Sequence, residues 1–216
     1  MDADDISVLN RLERQVAYLD ANPNVGILGG YLQWMHNAHI LPKPCTHEGI
    51  RCWQLFHTGF AHPTVMIRTS MLENYQIRYN PDFVHAEDYE LWSRLGEVTQ
   101  LANLPEPFLY YRYHEGQVTN VHRELQEQSA KNVRLIQLSR LDIFPSLEEY
   151  NTHLQFVQFS IPFNNYDEYS KAQAWMIKIL HHNQVKGVFD QETLQRVLIK
   201  CFENSVNFTQ WCYGTD

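Results

Sequence analysis

The sequence predicts a mixed α/β region followed by a helical one. Up to about residue 120, short β-branched and aromatic runs alternate with short amphipathic helical patterns, separated by Asn- and Pro-rich turns. From Val121 onward the turns thin out and long apolar stripes at helical spacing dominate. No repeat or low-complexity tract interrupts either part. The expected layout is a mixed sheet with flanking helices over residues 1–120 and a C-terminal helical region over 121–216.

The elements follow in order. Ser7 predicts an N-cap, and Val8, Leu9, Leu12, Val16 and Leu19 recur as the inner stripe of a helix that Asn22-Pro23-Asn24 stops. Val25 to Met35 reads as a strand whose glycines, Gly26, Gly29 and Gly30, mark close backbone approach or a bulge. A His- and Pro-rich loop leads to a short helix over 49–57, then to a buried strand from Thr64 and a short helix over 69–75. Tyr79-Asn80-Pro81-Asp82 is turn chemistry. It opens into a helix over 86–95, with Leu91, Trp92 and Leu95 inward and Gly96 at its end. Thr99 to Asn103 predicts a strand, Pro105 and Pro107 a turn, and Phe108 to Tyr113 a last strand. The tail predicts helices over 121–140, 146–156, 167–182 and 190–206, with Asp190 as a cap.

Composition narrows the function. The chain has 216 residues, 44% of them hydrophobic and 19% charged, which suits an ordered core rather than a disordered segment. A formal net charge of −8 with no basic run argues against a phosphate-tracking face, so nucleic acid is set aside. Cys45, Cys52, Cys201 and Cys212 lack the spacing of a close metal-ligand pair and read as reduced thiols. No apolar run approaches the roughly 20 residues of a membrane span, and no stretch has a signal-peptide layout. The expected location is the cytoplasm, with peripheral contact at the inner face of the membrane left open; so is the oligomeric state.

Three constellations carry chemistry. In Asp2-Ala3-Asp4-Asp5, carboxylates two apart can converge in a turn on one hard cation such as Mg²⁺ or Mn²⁺; the alternative is a solvated acidic terminus. Glu87-Asp88, at a helix start beside Trp92, fits a general base whose pKa is set by partial burial against the helix dipole. Its alternative is acidic residues that only complement the dipole. Tyr110 to Glu115 places Arg112 and His114 past a strand end, where they could face a diphosphate or a metal, or simply end a surface strand.

Taken together and in order, these segments resemble the family 2 glycosyltransferases with the GT-A fold, of the type that builds bacterial surface polysaccharides. The residues that carry the resemblance are Met1-Asp2-Ala3-Asp4-Asp5, Asn22-Pro23 with Val25 to Gly30, and His62-Pro63-Thr64-Val65-Met66-Ile67-Arg68. Tyr79-Asn80-Pro81, Glu87-Asp88-Tyr89-Glu90-Leu91-Trp92 and Leu109 to His114 complete it. It covers about residues 1–120, which makes the α/β region the acceptor-side part of a GT-A domain.

The resemblance implies an inverting, divalent-metal-dependent transfer of a sugar from a nucleotide-sugar donor to a saccharide or lipid-linked acceptor. Asp88 would be the catalytic base, with Glu87 shaping the acceptor pocket. Asp2 would contact the ribose side of the donor, and Asp2, Asp4 and His114 would hold Mn²⁺ or Mg²⁺. Arg112 would face the diphosphate. Trp92 would wall the acceptor site or pack, and His62 would line that site. In that family the acidic loop follows a nucleotide-binding α/β half, whereas here it stands at residue 1. The resemblance therefore implies a chain that begins at the acidic loop, exposes an apolar sheet edge and face, and catalyses weakly by itself. The alternative role is an inactive fragment or binding subunit completed by a separate nucleotide-binding half.

Overall fold

The computed structural model describes residues 4–112, 121–157 and 165–213, with side chains through residue 204. It divides into two compact units, Met1–Gln54 with Thr58–Val133, and Leu55–His57 with Arg134–Asp216.

The first unit is mixed α/β. A two-residue strand β1 (Ile6–Ser7) precedes helix α1 (Arg11–Ala21), strand β2 (Val25–Trp34), strand β3 (Ile40–Leu41) and helix α2 (His47–Trp53). A 3₁₀ turn (His62–Thr64), strand β4 (Met66–Ile67), helices α3 (Thr69–Asn74) and α4 (Glu87–Leu95), and strand β5 (Gln100–Tyr111) follow. Among the described residues the sheet has five strands in the order β1-β5-β2-β3, with β4 pairing β2. Only β2 and β5 run parallel; the other pairs are antiparallel. Alternation along the strands splits the core. Ile27 and Leu101 pack with Ile50, Phe60, Leu91, Trp92 and Leu95, while their neighbours Leu28 and Ala102 pack with Leu19 and Val25. A sheet covered on both faces explains why β2 reads as a continuous apolar run.

The expected strand glycines are close approaches. A Cβ at Gly30 would run into the Phe108 ring, and one at Gly29 into the Asn103 side chain and the Phe60 ring.

Four local expectations are corrected. The first concerns α1. Ser7 lies in β1, Asn10 precedes the helix without a side-chain cap, and Leu9, Leu12 and Val16 are exposed. The buried face is Arg11, Gln15 and Leu19. Gln15 is wholly buried because its Nε2 donates to Thr64 O (2.9 Å) and Leu28 O (3.3 Å), while its Oε1 accepts from Arg11 Nε (3.0 Å). Two strand-side carbonyls need a donor here, and that need outweighs the apolar stripe. Gln15→Ala is expected to cost about 3 kcal/mol, because it strands those carbonyls and leaves a half-buried guanidinium without its acceptor. Urea unfolding with an unchanged slope is the measurement.

Second, the segment expected as a strand from Thr64 begins with the 3₁₀ turn and leaves only Met66–Ile67 as strand. Third, the two strands expected around Pro105 and Pro107 form the single strand β5. The register jumps from Gly29↔Asn103 to Tyr31↔Pro107 and shifts again before Leu32↔Leu109, so Pro105 falls in the first irregularity and Pro107 stands between the two, where the ladder is broken and a missing N–H costs least. Fourth, the helix expected over 49–57 is α2, which starts earlier, where Thr46 Oγ1 accepts from Gly49 N (3.2 Å). It ends at Trp53. Ile6, on the sheet's outer strand β1, is exposed.

Helix α5 (Arg123–Arg140) runs from the first unit into the second. Leu125 and Ile136 are exposed, whereas Val133 and Leu138 are buried. The second unit holds α6 (Leu147–Val157), α7 (Tyr166–Lys186) and α8 (Gln191–Tyr213). Ala172, Trp175 and Ile179 form the expected inner stripe of α7. Asp190 caps α8 as expected, accepting from Thr193 N at 2.8 Å. Gly187, left-handed at φ 65°, closes α7. His153 is wholly buried at the centre of this unit. Its Nδ1 accepts from Trp175 Nε1 (3.2 Å), so its proton sits on Nε2, 2.9 Å from Leu55 O. The ring stacks on Phe56 with centroids 4.9 Å apart. No helix among the described residues is long and apolar enough to cross a membrane.

Candidate functional site

Two clusters in the first unit gather residues that the sequence singled out. The first forms around Asp88. The 3₁₀ turn is pinned to β2 by Thr64, whose Oγ1 accepts from Gly30 N (3.1 Å) and donates to Ala61 O (2.7 Å). The turn presents His62, whose Nε2 lies 3.2 Å from the Tyr79 hydroxyl and whose ring is tilted over Trp92 at a centroid distance of 6.0 Å. Trp92 also meets Phe60 edge-on at 5.6 Å and is wholly buried. Trp92 thus lies beneath His62 as part of the core.

Asp88 occupies the first turn of α4. Residues behind it anchor that helix. The Tyr89 hydroxyl donates to Gln54 O (2.5 Å), and Arg94 makes a two-pronged contact with Glu90 (2.6 and 2.7 Å) while reaching Arg78 O (2.6 Å). Burial pushes the Asp88 pKa up, and Glu87 adds to this. His62, Lys43 and the hydrogen bond from Tyr89 N (2.7 Å) oppose it, and the net direction is upward. Lys43 sits two residues past β3, and its Nζ donates to Thr58 O at 3.5 Å. Burial lowers its pKa against the pull of Asp88. Burial, then Asp88 and Glu87, hold the Tyr79 phenol above its ordinary value. A desolvated carboxylate of raised pKa is equipped to take a proton from a hydroxyl.

The second cluster joins the two ends of the α/β region. Pairing of Ile6 with Tyr110 brings the acidic loop to the end of β5. Arg112 Nε donates to Asp4 O (3.0 Å), and Arg112 N donates to Asp5 Oδ1 (3.1 Å). The cluster follows the C-terminal end of β5, which runs parallel to β2, and such ends are where α/β sheets place ligands. Asp2 and His114 lie outside the described residues, and among the described residues no group of three or more His, Cys, Asp or Glu could hold a metal.

The sequence thus named Asp88, Glu87, His62, Asp4 and Arg112, and the structure gathers the first three into one cluster and the last two into another. Lys43 and the role of Tyr79 were missed. Lys43 stands between prolines in an aperiodic loop, and only the tertiary fold turns it toward Asp88.

Comparison with known proteins bears on these clusters. The chain is 30% identical over 146 residues to an uncharacterized glycosyltransferase of Haemophilus influenzae, covering 62% of this chain and 45% of that one. It is 34% identical over 119 residues to the O-antigen biosynthesis glycosyltransferase WbnJ of Escherichia coli, covering 53% and 46%. A third relative, 26% identical over 132 residues, is the UDP-Glc:alpha-D-GlcNAc-diphosphoundecaprenol beta-1,3-glucosyltransferase WfgD of Escherichia coli, covering 59% and 50%. The chain's relatives are glycosyltransferases. It spans half or less of the length of each of these three. A solved structure of S. aureus TarS 1–349 aligns with a TM-score of 0.45 and 12% identity, over 100% of this chain and 66% of that one. No family model matches the chain.

Proposed function

We propose that this chain carries the acceptor side of an inverting glycosyltransferase of family 2 and GT-A type, which moves a sugar from a nucleotide-sugar donor to a saccharide or lipid-linked acceptor in surface polysaccharide synthesis. The observation that carries the reading is Asp88, placed in the first turn of the anchored helix α4, where burial raises its pKa. As general base, Asp88 takes the proton of the acceptor hydroxyl while that oxygen attacks the anomeric carbon and the nucleoside diphosphate departs from the opposite face. One displacement inverts the centre and requires no covalent intermediate. The charge of Lys43 favours the ionised carboxylate against the cost of burial. The WbnJ and WfgD names support the polysaccharide setting, and the WfgD name supports a lipid-linked acceptor.

For the cation, the described residues supply Asp4 beside Asp5, an oxygen-rich pair that suits Mg²⁺ or Mn²⁺. Asp5 Oδ1 accepts from Arg112 N, and Asp4 is the proposed ligand, with Asp2 and His114 as its proposed partners. When bound, such an ion stabilises a departing diphosphate. Arg112 Nε, on the Asp4 carbonyl, would fix the loop. The test is Mn²⁺-dependent binding of UDP by calorimetry. The wild-type chain is expected to bind, and Asp4→Ala to bind at least about tenfold more weakly. Equal binding by the two proteins would remove Asp4 as a ligand.

A further inference from the structure

Residues 54–58 form a short strap between α2 and the 3₁₀ turn. Its outer residues, Gln54 and Thr58, belong to the α/β unit, whereas Leu55–His57 belong to the helical unit. Both outer residues lend a carbonyl to the surroundings of Asp88. Gln54 O accepts from the Tyr89 hydroxyl (2.5 Å), and Thr58 O accepts from Lys43 Nζ (3.5 Å). The inner residues are gripped by α6. Leu55 O accepts from His153 Nε2 (2.9 Å), and the Phe56 ring stacks on His153 (4.9 Å) and on Phe156 (6.1 Å). We propose that the helical unit is a positioning element for Asp88: by holding Leu55 and Phe56 it sets the two flanking carbonyls to which α4 and Lys43 are fastened, with His153 and Phe156 as the positioning residues.

The grip on the strap is both apolar and directional. Leu55 and Phe56 are wholly buried, and among the described residues both ring contacts of Phe56 are with α6. Two consecutive large apolar side chains keep one backbone path only where something packs against both. Trp175 Nε1 donates to His153 Nδ1 (3.2 Å), which places the His153 proton on Nε2 and aims it at Leu55 O. From that carbonyl, Gln54 O is the neighbouring one along the chain and Thr58 O lies three residues on. Planar peptides leave few soft dihedrals over such a distance, so a displacement of Leu55 and Phe56 reaches both. Each fastening responds to it. Tyr89 directly follows Asp88, so Gln54 O holds the turn of α4 that carries the carboxylate. The Lys43 contact, at 3.5 Å, is at the limit of a hydrogen bond, where a small shift breaks it. Lys43 in turn favours the ionised form of Asp88.

The experiment is hydrogen–deuterium exchange on the full chain, read by mass spectrometry in the strap, α4 and α1. Phe156→Leu removes the stack on Phe56 but keeps an apolar side chain. It is expected to speed exchange of the strap and of α4 by at least about tenfold and to leave α1 as in the wild type. Trp175→Phe, which deletes the donor to His153 Nδ1, should act in the same direction, and His153→Gln, which retains a donor for Leu55 O, should keep the wild-type pattern. Tyr89→Phe cuts the link to Gln54 O, so adding Phe156→Leu to it should speed α4 no further. Faster exchange confined to the helical unit, equal acceleration of α1, or a full additional effect in the Tyr89→Phe background would overturn the proposal. That the strap serves catalysis rests on the glycosyl-transfer reading. There, Phe156→Leu is expected to lower turnover by about ten- to a hundredfold with UDP binding unchanged. Coupled exchange in a chain that neither binds UDP nor transfers sugar keeps the strap and removes the transferase. Sugar transfer that Phe156→Leu leaves at full rate does the reverse.

Discussion

Asp88→Asn is expected to lower sugar transfer by about 10²- to 10⁴-fold, the usual contribution of a general base, and to raise thermal stability. The two effects share one cause. Burial holds the Asp88 pKa above its ordinary value, so ionising it costs the folded state more than the unfolded one. A group whose folded pKa lies above its unfolded one withdraws stability as pH rises through that interval. The neutral amide removes the penalty along with the base. Transfer is followed as labelled sugar incorporated at saturating donor and acceptor, and stability as the melting temperature. UDP binding should not change. A variant that lost activity and also melted lower would assign Asp88 a structural role. The pH profile offers an independent check: the acid limb of activity should lie above the ordinary aspartate value of about 3.9. Lys43→Met should move that limb higher still, because it deletes a cation that favours the ionised carboxylate.

Lowering the pH from 7 to 5 is expected to cost the helical unit about 2 kcal/mol of stability through His153 alone. Burial above all, and then Arg134 and His57, press the His153 pKa down to about 3 against the hydrogen bond to Leu55 O. The unfolded chain takes up a proton below about 6.5, while the folded one stays neutral. Stability is therefore whole above that value and falls as pH drops toward 3. His153→Gln removes the titration and retains an acceptor and a donor for Trp175 and Leu55. Urea unfolding at both pH values should show a smaller pH-dependent loss for this variant. An equal loss in both proteins would clear His153. His153→Ala removes the ring as well, leaves Trp175 Nε1 and Leu55 O without partners, and should cost about 3–5 kcal/mol.

The errors along the chain share a pattern. α1 carries a clear apolar stripe, yet its buried face is Arg11, Gln15 and Leu19. Periodicity reports where apolar side chains fall on a helix; it does not report which carbonyls elsewhere lack donors, and Leu28 O and Thr64 O decide the orientation. Pro105 and Pro107 signal a turn locally, but the neighbouring strand β2 keeps the chain extended, and the irregular register there accommodates them. Where local chemistry and packing agree, as at Asp190 or along Ala172, Trp175 and Ile179, the reading carries through to the structure.

The sequence by itself determined the order of mixed α/β and helical parts, the strand that begins at Val25, and the helix that begins at Glu87-Asp88. These are properties of composition, short-range spacing and ordered motifs, which one chain carries without its fold. Only the tertiary structure decided that His62, Tyr79 and Lys43 converge on Asp88, that Trp92 lies beneath them, and that Asp4 meets Arg112 across the β1–β5 pairing. Contacts between residues tens of positions apart leave no periodic trace, and burial, which shifts the Asp88 pKa, comes into being only when the chain closes around it.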